Sequence, residues 1–356
     1  MRSFAVLLPF AAAVMALSTN PPQCMKPEVR VEWRTLTQAQ RDSYHKAVKC
    51  LQTKPSPEFK GRSLYDRFAW SYDIMDDRIH QVAAFLPWHR YFSVARTRLL
   101  KDCGYNGPTP YVVSIELSCM RFLTFFSYWD WTKDVNNMAK SEIFDPIKGF
   151  GGNSEGNGLC VQGGPYGTKS QFTLTWPWNQ CLRRDFNDME STPGKMFRPA
   201  TGPAGRHSLV QVKNLNNKKR FSTFAPALEE GLHQSVLDEI SPLMASSFSP
   251  LDPLFFLHIN NIDRLWALWQ ENDERRLKEY ENIFPIKLKT APTATPPATL
   301  NDQIYIAMKE FPAVRVRDLM DTLSPTLCYK IYRVSVNDVM DTMSDELCCV
   351  VSIMLP

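Results

Sequence analysis

Six histidines carry most of what this 356-residue chain says about chemistry: His45, His80, His89, His207, His233 and His258. His80 and His89 frame the segment His-Gln-Val-Ala-Ala-Phe-Leu-Pro-Trp-His. Pro87 stands two residues before His89, where a helix starts, so His89 falls on a first turn and points into a bundle. His80 closes the preceding helix. Two imidazoles converging from adjacent elements suit copper or zinc. His233, in Gly-Leu-His-Gln-Ser-Val-Leu, and His258, in Asp-Pro-Leu-Phe-Phe-Leu-His-Ile-Asn-Asn-Ile-Asp-Arg-Leu-Trp, make a second candidate cluster. Spacing alone leaves each of these two open to being an ordinary core or surface histidine.

The elements that must position them are helical. Residues 33–52 are amphipathic around Leu36, Tyr44, Val48 and Leu51, and Thr37 before Gln40 resembles a capping box. Segment 64–80 is aromatic with helical period, and 89–101 follows with Gly104 just past its end. Residues 145–225 are rich in Gly, Pro, Asn and Ser and read as long surface loops. Two more helices are expected near 226–240 and 253–278, the second opened by Asp252-Pro253. Residues 291–301 are a Pro/Thr linker, and the tail from 302 is strand-like in places. The expected fold is mainly α, with a four-helix-bundle core, long irregular loops and few strands. The interior of such a bundle is a natural place for a metal site.

Three long matches in order point to a family. They are Phe85-Leu-Pro-Trp-His-Arg-Tyr-Phe92, Tyr128-Trp-Asp-Trp131, and Asp252-Pro-Leu-Phe-Phe-Leu-His258 with Asp263-Arg-Leu-Trp266. Together they resemble the tyrosinase/polyphenol oxidase family of type-3 copper proteins, in its secreted fungal form. Cys103-Gly-Tyr and Cys181-Leu-Arg-Arg-Asp-Phe-Asn187 add to the resemblance, which covers roughly residues 24–330. It implies a tyrosinase/hemocyanin-like bundle over residues 19–290. It also implies two coppers on three histidines each, bound dioxygen, and oxidation of phenols or catechols.

Carried over residue by residue, the resemblance implies an incomplete ligand set. The first copper's second and third ligands fall on His80 and His89, and its first on Tyr72. The second copper's His-x-x-x-His face starts at His233, but its second member is Leu237. The last ligand position, four before Asp263, is Ile259, with His258 beside it. His258 would need its helix turned by about 100° to help. His45 and His207 miss every ligand position and read as surface residues. Phe85, Trp88, Trp129 and Trp131 read as bundle core, and Asp263 and Arg264 as residues that pack the helix or support ligands. Three functions compete. One is an oxidoreductase of phenols, catechols or a related small aromatic metabolite, using O2 at copper. A second is a mononuclear zinc or copper tailoring enzyme of secondary metabolism, on His80, His89 and His233 with Tyr72 or water. The third is a non-catalytic pseudoenzyme.

The bulk numbers fit a globular chain: 44% hydrophobic, 22% charged, formal net charge +4. A balance so near neutral argues against a nucleic-acid partner. Arg2 followed by an apolar stretch from Phe4 to Leu17 reads as a secretory signal peptide over residues 1–18, too short to span a bilayer. The expected location is extracellular, with no membrane span. Nine cysteines in a secreted chain favour disulfides, and nine is odd.

Two stretches break the pattern. Val314-Arg-Val-Arg-Asp-Leu-Met-Asp-Thr-Leu-Ser324 is echoed at Val334-Ser-Val-Asn-Asp-Val-Met-Asp-Thr-Met-Ser344, a 20-residue duplication within the 302–356 tail. Removing residues 111–127 would restore an uninterrupted Pro-Tyr-Trp-Asp-Trp. Val113-Ser114 can be encoded by a 5′ splice consensus, and Leu123-Thr-Phe-Phe-Ser127 by a branch point with a pyrimidine-rich acceptor. The insert carries Cys119, and without it and the second tail copy six cysteines remain. Two readings of 111–127 stand: a retained intron, which we favour, and a genuine loop with a buried hydrophobic turn. A spliced transcript sequenced across this point is expected to lack those codons; their presence in mature message would end the intron reading.

Overall fold

The computed structural model describes residues 24–105, 125–155, 159–186, 205–283 and 296–331. The signal peptide, most of the 111–127 insert, residues 291–295 of the linker and the second tail copy lie outside the described residues. In chain order the elements are β1 (Glu28–Glu32), α1 (Gln38–Thr53), α2 (Leu64–Ile79), α3 (Phe85–Asp102), β2 (Phe125–Tyr128), β3 (Ser154–Glu155) and β4 (Cys160–Val161). There follow α4 (Leu209–Asn216), α5 (Phe221–Pro226), a π-helical stretch Ala227–His233, α6 (Gln234–Ile240), α7 (Phe255–Glu271), β5 (Gln303–Ile304), β6 (Val314–Arg315) and β7 (Tyr329–Ile331).

The helices start where their caps dictate. The Thr37–Gln40 capping box is present: Gln40 Oε1 accepts from the Thr37 amide at 2.8 Å, and Thr37 Oγ1 accepts from the Gln40 amide at 3.4 Å. Ser63 and Asp66 do the same for α2. No side chain caps α3. It is held instead by burial on nearly every face, as is α7, which marks both as central helices of the bundle. Gly104 stops α3 in the left-handed region at φ +83°, where a side chain would be strained. The expected loop region 145–225 holds two helices that composition concealed, α4 and all but the last residue of α5. Their buried faces, Leu215 and Phe221 with Phe224, are too short to show a period.

β1 sits between β2 and β7, parallel to both. Phe125, Phe126 and Ser127, the end of the proposed insert, stand in register with Val29, Arg30 and Val31. Three disulfides join the six cysteines that remain once the insert and second tail copy are set aside: Cys24–Cys328, Cys50–Cys103 and Cys160–Cys181. The first clips the start of the described chain to the residue before β7.

One buried carboxylate joins the bundle to the sheet. Asp263 of α7 accepts from Arg30 of β1, Arg90 of α3 and the hydroxyl of Tyr329 of β7. Arg30 lies 3.6 Å over the Tyr329 ring, and Arg90 lies 3.7 Å over Trp266. Arg90 also donates to the carbonyls of Leu319 and Met320 at 2.9 and 3.0 Å. Burial pushes the Asp263 carboxyl up, but the two guanidinium groups and the hydroxyl outweigh it and leave it below the ordinary range. Removing one partner from such a set strands buried charge. Asp263→Ala is expected to cost about 3–5 kcal/mol in chemical denaturation; a loss below about 1 kcal/mol would show that the arginines are satisfied without it.

Candidate metal centre

Four of the six histidines meet in the bundle. Ring centroids lie 5.4 Å apart for His80 and His89, 6.2 Å for His89 and His233, and 5.0 Å for His233 and His258. Tyr72 stands 5.7 Å from His89, and Phe85 packs on both His89 and His233 at 4.6 and 5.3 Å.

Local backbone explains each placement. His80 is the C-cap of α2, and the turn after it puts Gln81 in the left-handed region at φ +55°, rare for a side-chain-bearing residue. That turn aims the Gln81 amide at Glu229 Oε1, 2.7 Å away. His89 lies one turn into α3, and its Nδ1 bonds the carbonyl of Phe85 at 2.7 Å. A carbonyl only accepts, so Nδ1 carries the proton and Nε2 keeps a lone pair. That Nε2 is buried without a partner among the described residues. Pro226, which has no amide hydrogen, precedes the π-helical stretch that carries Glu229 and His233 four residues apart. π-turns recur at functional sites.

His80 is fixed differently. Its Nδ1 meets Asp76 Oδ1 at 2.8 Å, and its Nε2 meets the Tyr72 hydroxyl at 2.8 Å. A carboxylate on Nδ1 leaves Nε2 as the acceptor of the phenol proton. On the other side, His233 Nδ1 and His258 Nε2 share one hydrogen bond of 2.9 Å. His258 therefore faces His233 across that bond. Leu237 and Ile259 are packed in the core.

The cluster is largely uncharged at neutral pH. Burial and neighbouring imidazoles push His89 and His233 well below the usual histidine range, and burial takes His258 down to about 3. Burial holds Tyr72 well above the usual tyrosine value. Burial also lifts the Glu229 carboxyl to about 8, against the Gln81 amide, and its Oε2 has no partner among the described residues. Glu229 and Asp76 escaped the sequence reading. Each lies four residues before a histidine, His233 and His80, and that i, i+4 spacing was the available signal.

His45 and His207 are not surface residues. Both are buried; His45 Nδ1 bonds the Tyr166 hydroxyl at 2.8 Å, and His207 Nδ1 lies 3.6 Å from Glu239 Oε2. A lone polar residue gives no sign of burial when its partners are distant in sequence. Phe85, Trp88, Trp129 and Trp131 are core, as expected.

With the bundle and its histidines placed, the comparisons with known proteins converge. The common central domain of tyrosinase matches residues 36–272. The chain belongs to the tyrosinase family. Tyrosinase ustQ of Aspergillus flavus is 32% identical over 329 residues, spanning 88% of this chain and 81% of that protein. Tyrosinase-like protein phomQ1 of Diaporthe leptostromiformis is 33% identical over 276 residues, spanning 72% of this chain and 65% of its own length, just under two thirds. A polyphenol oxidase structure from Thermothelomyces thermophila superposes with a TM-score of 0.65 at 23% identity, over 86% of this chain and 89% of that one. That last likeness concerns the fold.

The family implies a type-3 copper pair, and the residues can be tested against it. His89 fits, with Nδ1 anchored and Nε2 free. His80 has the same anchoring, but its Nε2 already receives the Tyr72 proton. Leu237 and Ile259 offer no lone pair. Among the described residues, no three of His, Cys, Asp or Glu are placed to hold a metal ion together. The residues present do not fit a copper pair, and zinc has no support. The buried neutral histidines carry a stability consequence. His45 and His207 both sit near 4 when folded, lowered by burial, against about 6.5 unfolded. The unfolded chain therefore binds more protons between those values, and stability is lost as pH falls from about 6.5 to 4. Glu229 runs the other way, as one group against several. Denaturation at pH 7 and pH 4.5 is expected to show a marked acid loss, reduced by on the order of 2 kcal/mol in His207→Gln; a slope unchanged by that variant would refute the assignment.

Proposed function

We propose that this chain is a secondary-metabolism member of the tyrosinase family that handles a small phenolic, catecholic or related aromatic metabolite. We further propose that two-copper dioxygen chemistry is impaired in the chain as it stands. One observation carries the second statement: the Tyr72 hydroxyl occupies Nε2 of His80. The lone pair a first copper would need is already spent, and Tyr72 is itself the residue in a ligand position.

The metal positions implied by the resemblance are His80, His89, His233 and His258. Copper, when bound in this family, supplies dioxygen binding and electron transfer. The chain's own residues do other things. His80 has the only exposed side chain of the four, 22% at its surface, so an aromatic ring would approach past it and Asp76. Glu229 stays protonated at neutral pH and accepts a proton only above about 8. It can therefore hold a phenol oxygen by donating to it. A second reading, with a single copper, rests on the free Nε2 of His89. The family match and the fungal relatives named tyrosinase or tyrosinase-like support the substrate class. Extracellular location rests on the signal-peptide reading, and no helix among the described residues is long and apolar enough to cross a membrane.

The test is copper content by plasma mass spectrometry on the full chain after anaerobic loading, with catechol oxidation followed alongside. Fewer than two coppers per chain is expected, with little quinone. The triple variant Tyr72→His, Leu237→His, Ile259→His is expected to raise occupancy toward two and quinone formation by 10-fold or more, on the order of a restored ligand shell. Two coppers and rapid oxidation in the unaltered chain would sink the proposal.

A further inference from the structure

Arg96 lies on α3 seven residues beyond His89, on the side of the helix away from Asp263. It is 1% exposed, and none of its three guanidinium nitrogens has a hydrogen-bond partner among the described residues. Rings surround it, with centroids at 5.1 Å for Tyr65, 5.2 Å for Phe68 and 4.7 Å for Phe256. Ring faces offset part of a cation's charge but accept none of five N–H bonds in a fork. A guanidinium keeps its proton in proteins, so the charge must be compensated.

Two interior carboxylates of the described residues are committed elsewhere, and Glu229 is not among the groups that act on Arg96. Asp252 takes the fork of Arg184 through both oxygens at 2.8 Å. Asp263 takes Arg30 and Arg90. Among the described residues, the only ionisable groups acting on Arg96 are the phenols Tyr44, Tyr65 and Tyr166, neutral at physiological pH.

Beside the guanidinium lies a small cavity whose lining includes Tyr44, Ser93, Thr97, Tyr105 and Asn260. It leaves about 10 Å³ for the centre of a water-sized particle, room for one atom-sized occupant. No lining residue among the described ones is acidic. The polar groups of α3 and α7 are satisfied among themselves: Ser93 donates to Asn260 Oδ1, Asn260 donates to the Ser127 carbonyl at 2.8 Å, and Thr97 donates to the Ser93 carbonyl at 2.9 Å. Among the described residues, the whole Arg96 fork is left without a partner, and so is Ser127 Oγ, a hydroxyl in the same wall that brings no charge.

We propose that this cavity binds one chloride-sized monovalent anion, held by the Arg96 guanidinium and the Tyr44 hydroxyl, as the missing counter-charge of the core. Its volume excludes a carboxylate metabolite, and the guanidinium in its wall opposes a cation. Water would satisfy N–H groups and leave the charge. The site is independent of the metal question: it lies past the histidines on α3 and uses none of them.

The experiment is thermal unfolding of the full chain with chloride or bromide exchanged against gluconate at fixed ionic strength. A saturable rise in melting temperature of about 5 °C is expected, with one bromide per chain found beside Arg96 by anomalous diffraction. Arg96→Met is expected to abolish the halide dependence. Should that variant not fold, Tyr44→Phe keeps the ring and is expected to weaken half-saturation by about 3-fold or more, for one lost hydrogen bond. Glu116, the one acid in segment 106–124 and itself inside the 111–127 stretch, provides the control in the chain that retains that stretch. An unchanged halide response in Glu116→Gln supports the proposal. No halide response in the unaltered chain, or one appearing only in Glu116→Gln, would overturn it, since water or the chain itself would then satisfy the arginine.

Discussion

Two arginines and a phenol converge on the carboxylate of Asp263, and the bundle and sheet are fixed relative to each other by that meeting. Arg90 comes from the helix that carries His89, and Asp263 from the helix that carries His258. Arg30 and Tyr329 come from adjacent strands near the two ends of the described chain. Apolar packing alone would let α3 and α7 slide over one another at small cost, because Leu, Phe and Trp surfaces are non-directional. A buried carboxylate with three fixed donors does not allow it. The histidines on these two helices inherit that register, and the Cys24–Cys328 clip holds β1 and β7 where the arginine and the phenol are needed.

The interior is thereby divided into two electrostatic regimes. Around Asp263 the chain buries charge and pairs it. Around His89, His233, Tyr72 and Glu229 it buries polar groups that burial itself keeps neutral. Neutral imidazoles are the form that binds a metal, and they are also the form that costs least to bury. A histidine cluster can therefore outlast its metal without unfolding the protein.

The parts legible in sequence were those with local signals. Capping residues placed α1, and apolar period placed α2 and α7. The Phe-Leu-Pro-Trp-His-Arg-Tyr-Phe run identified α3 as buried and the chain as a tyrosinase relative. What stayed hidden depended on distant partners. The burial of His45 rests on Tyr166, far along the chain, and no window of sequence contains both. Glu229 was hidden by its π-helical turn, since nothing in Leu-Glu-Glu-Gly-Leu-His separates a buried acid from its half-buried neighbour Glu230. The facing of His258 toward His233 was hidden for the same reason, since the two lie on different helical stretches. On a helix buried on all sides, adjacent residues both face core, toward different neighbours.

The three positions that the resemblance sets against ligand histidines, Tyr72, Leu237 and Ile259, bear on how this chain departed from its relatives. A misread or damaged sequence would put arbitrary residues into a packed interior, with voids or stranded polar atoms as the result. Tyr72, Leu237 and Ile259 are instead almost fully buried. Two are aliphatic, and the third gives its hydroxyl to His80, whose other nitrogen is tied to Asp76. The retained histidines keep the anchoring of Nδ1 that orients an imidazole, on Asp76 for His80 and on the Phe85 carbonyl for His89. All three side chains thus fill their sites, and the one polar group among them is satisfied. On the carry-over that the resemblance implies, divergence within the tyrosinase family accounts for all three positions together.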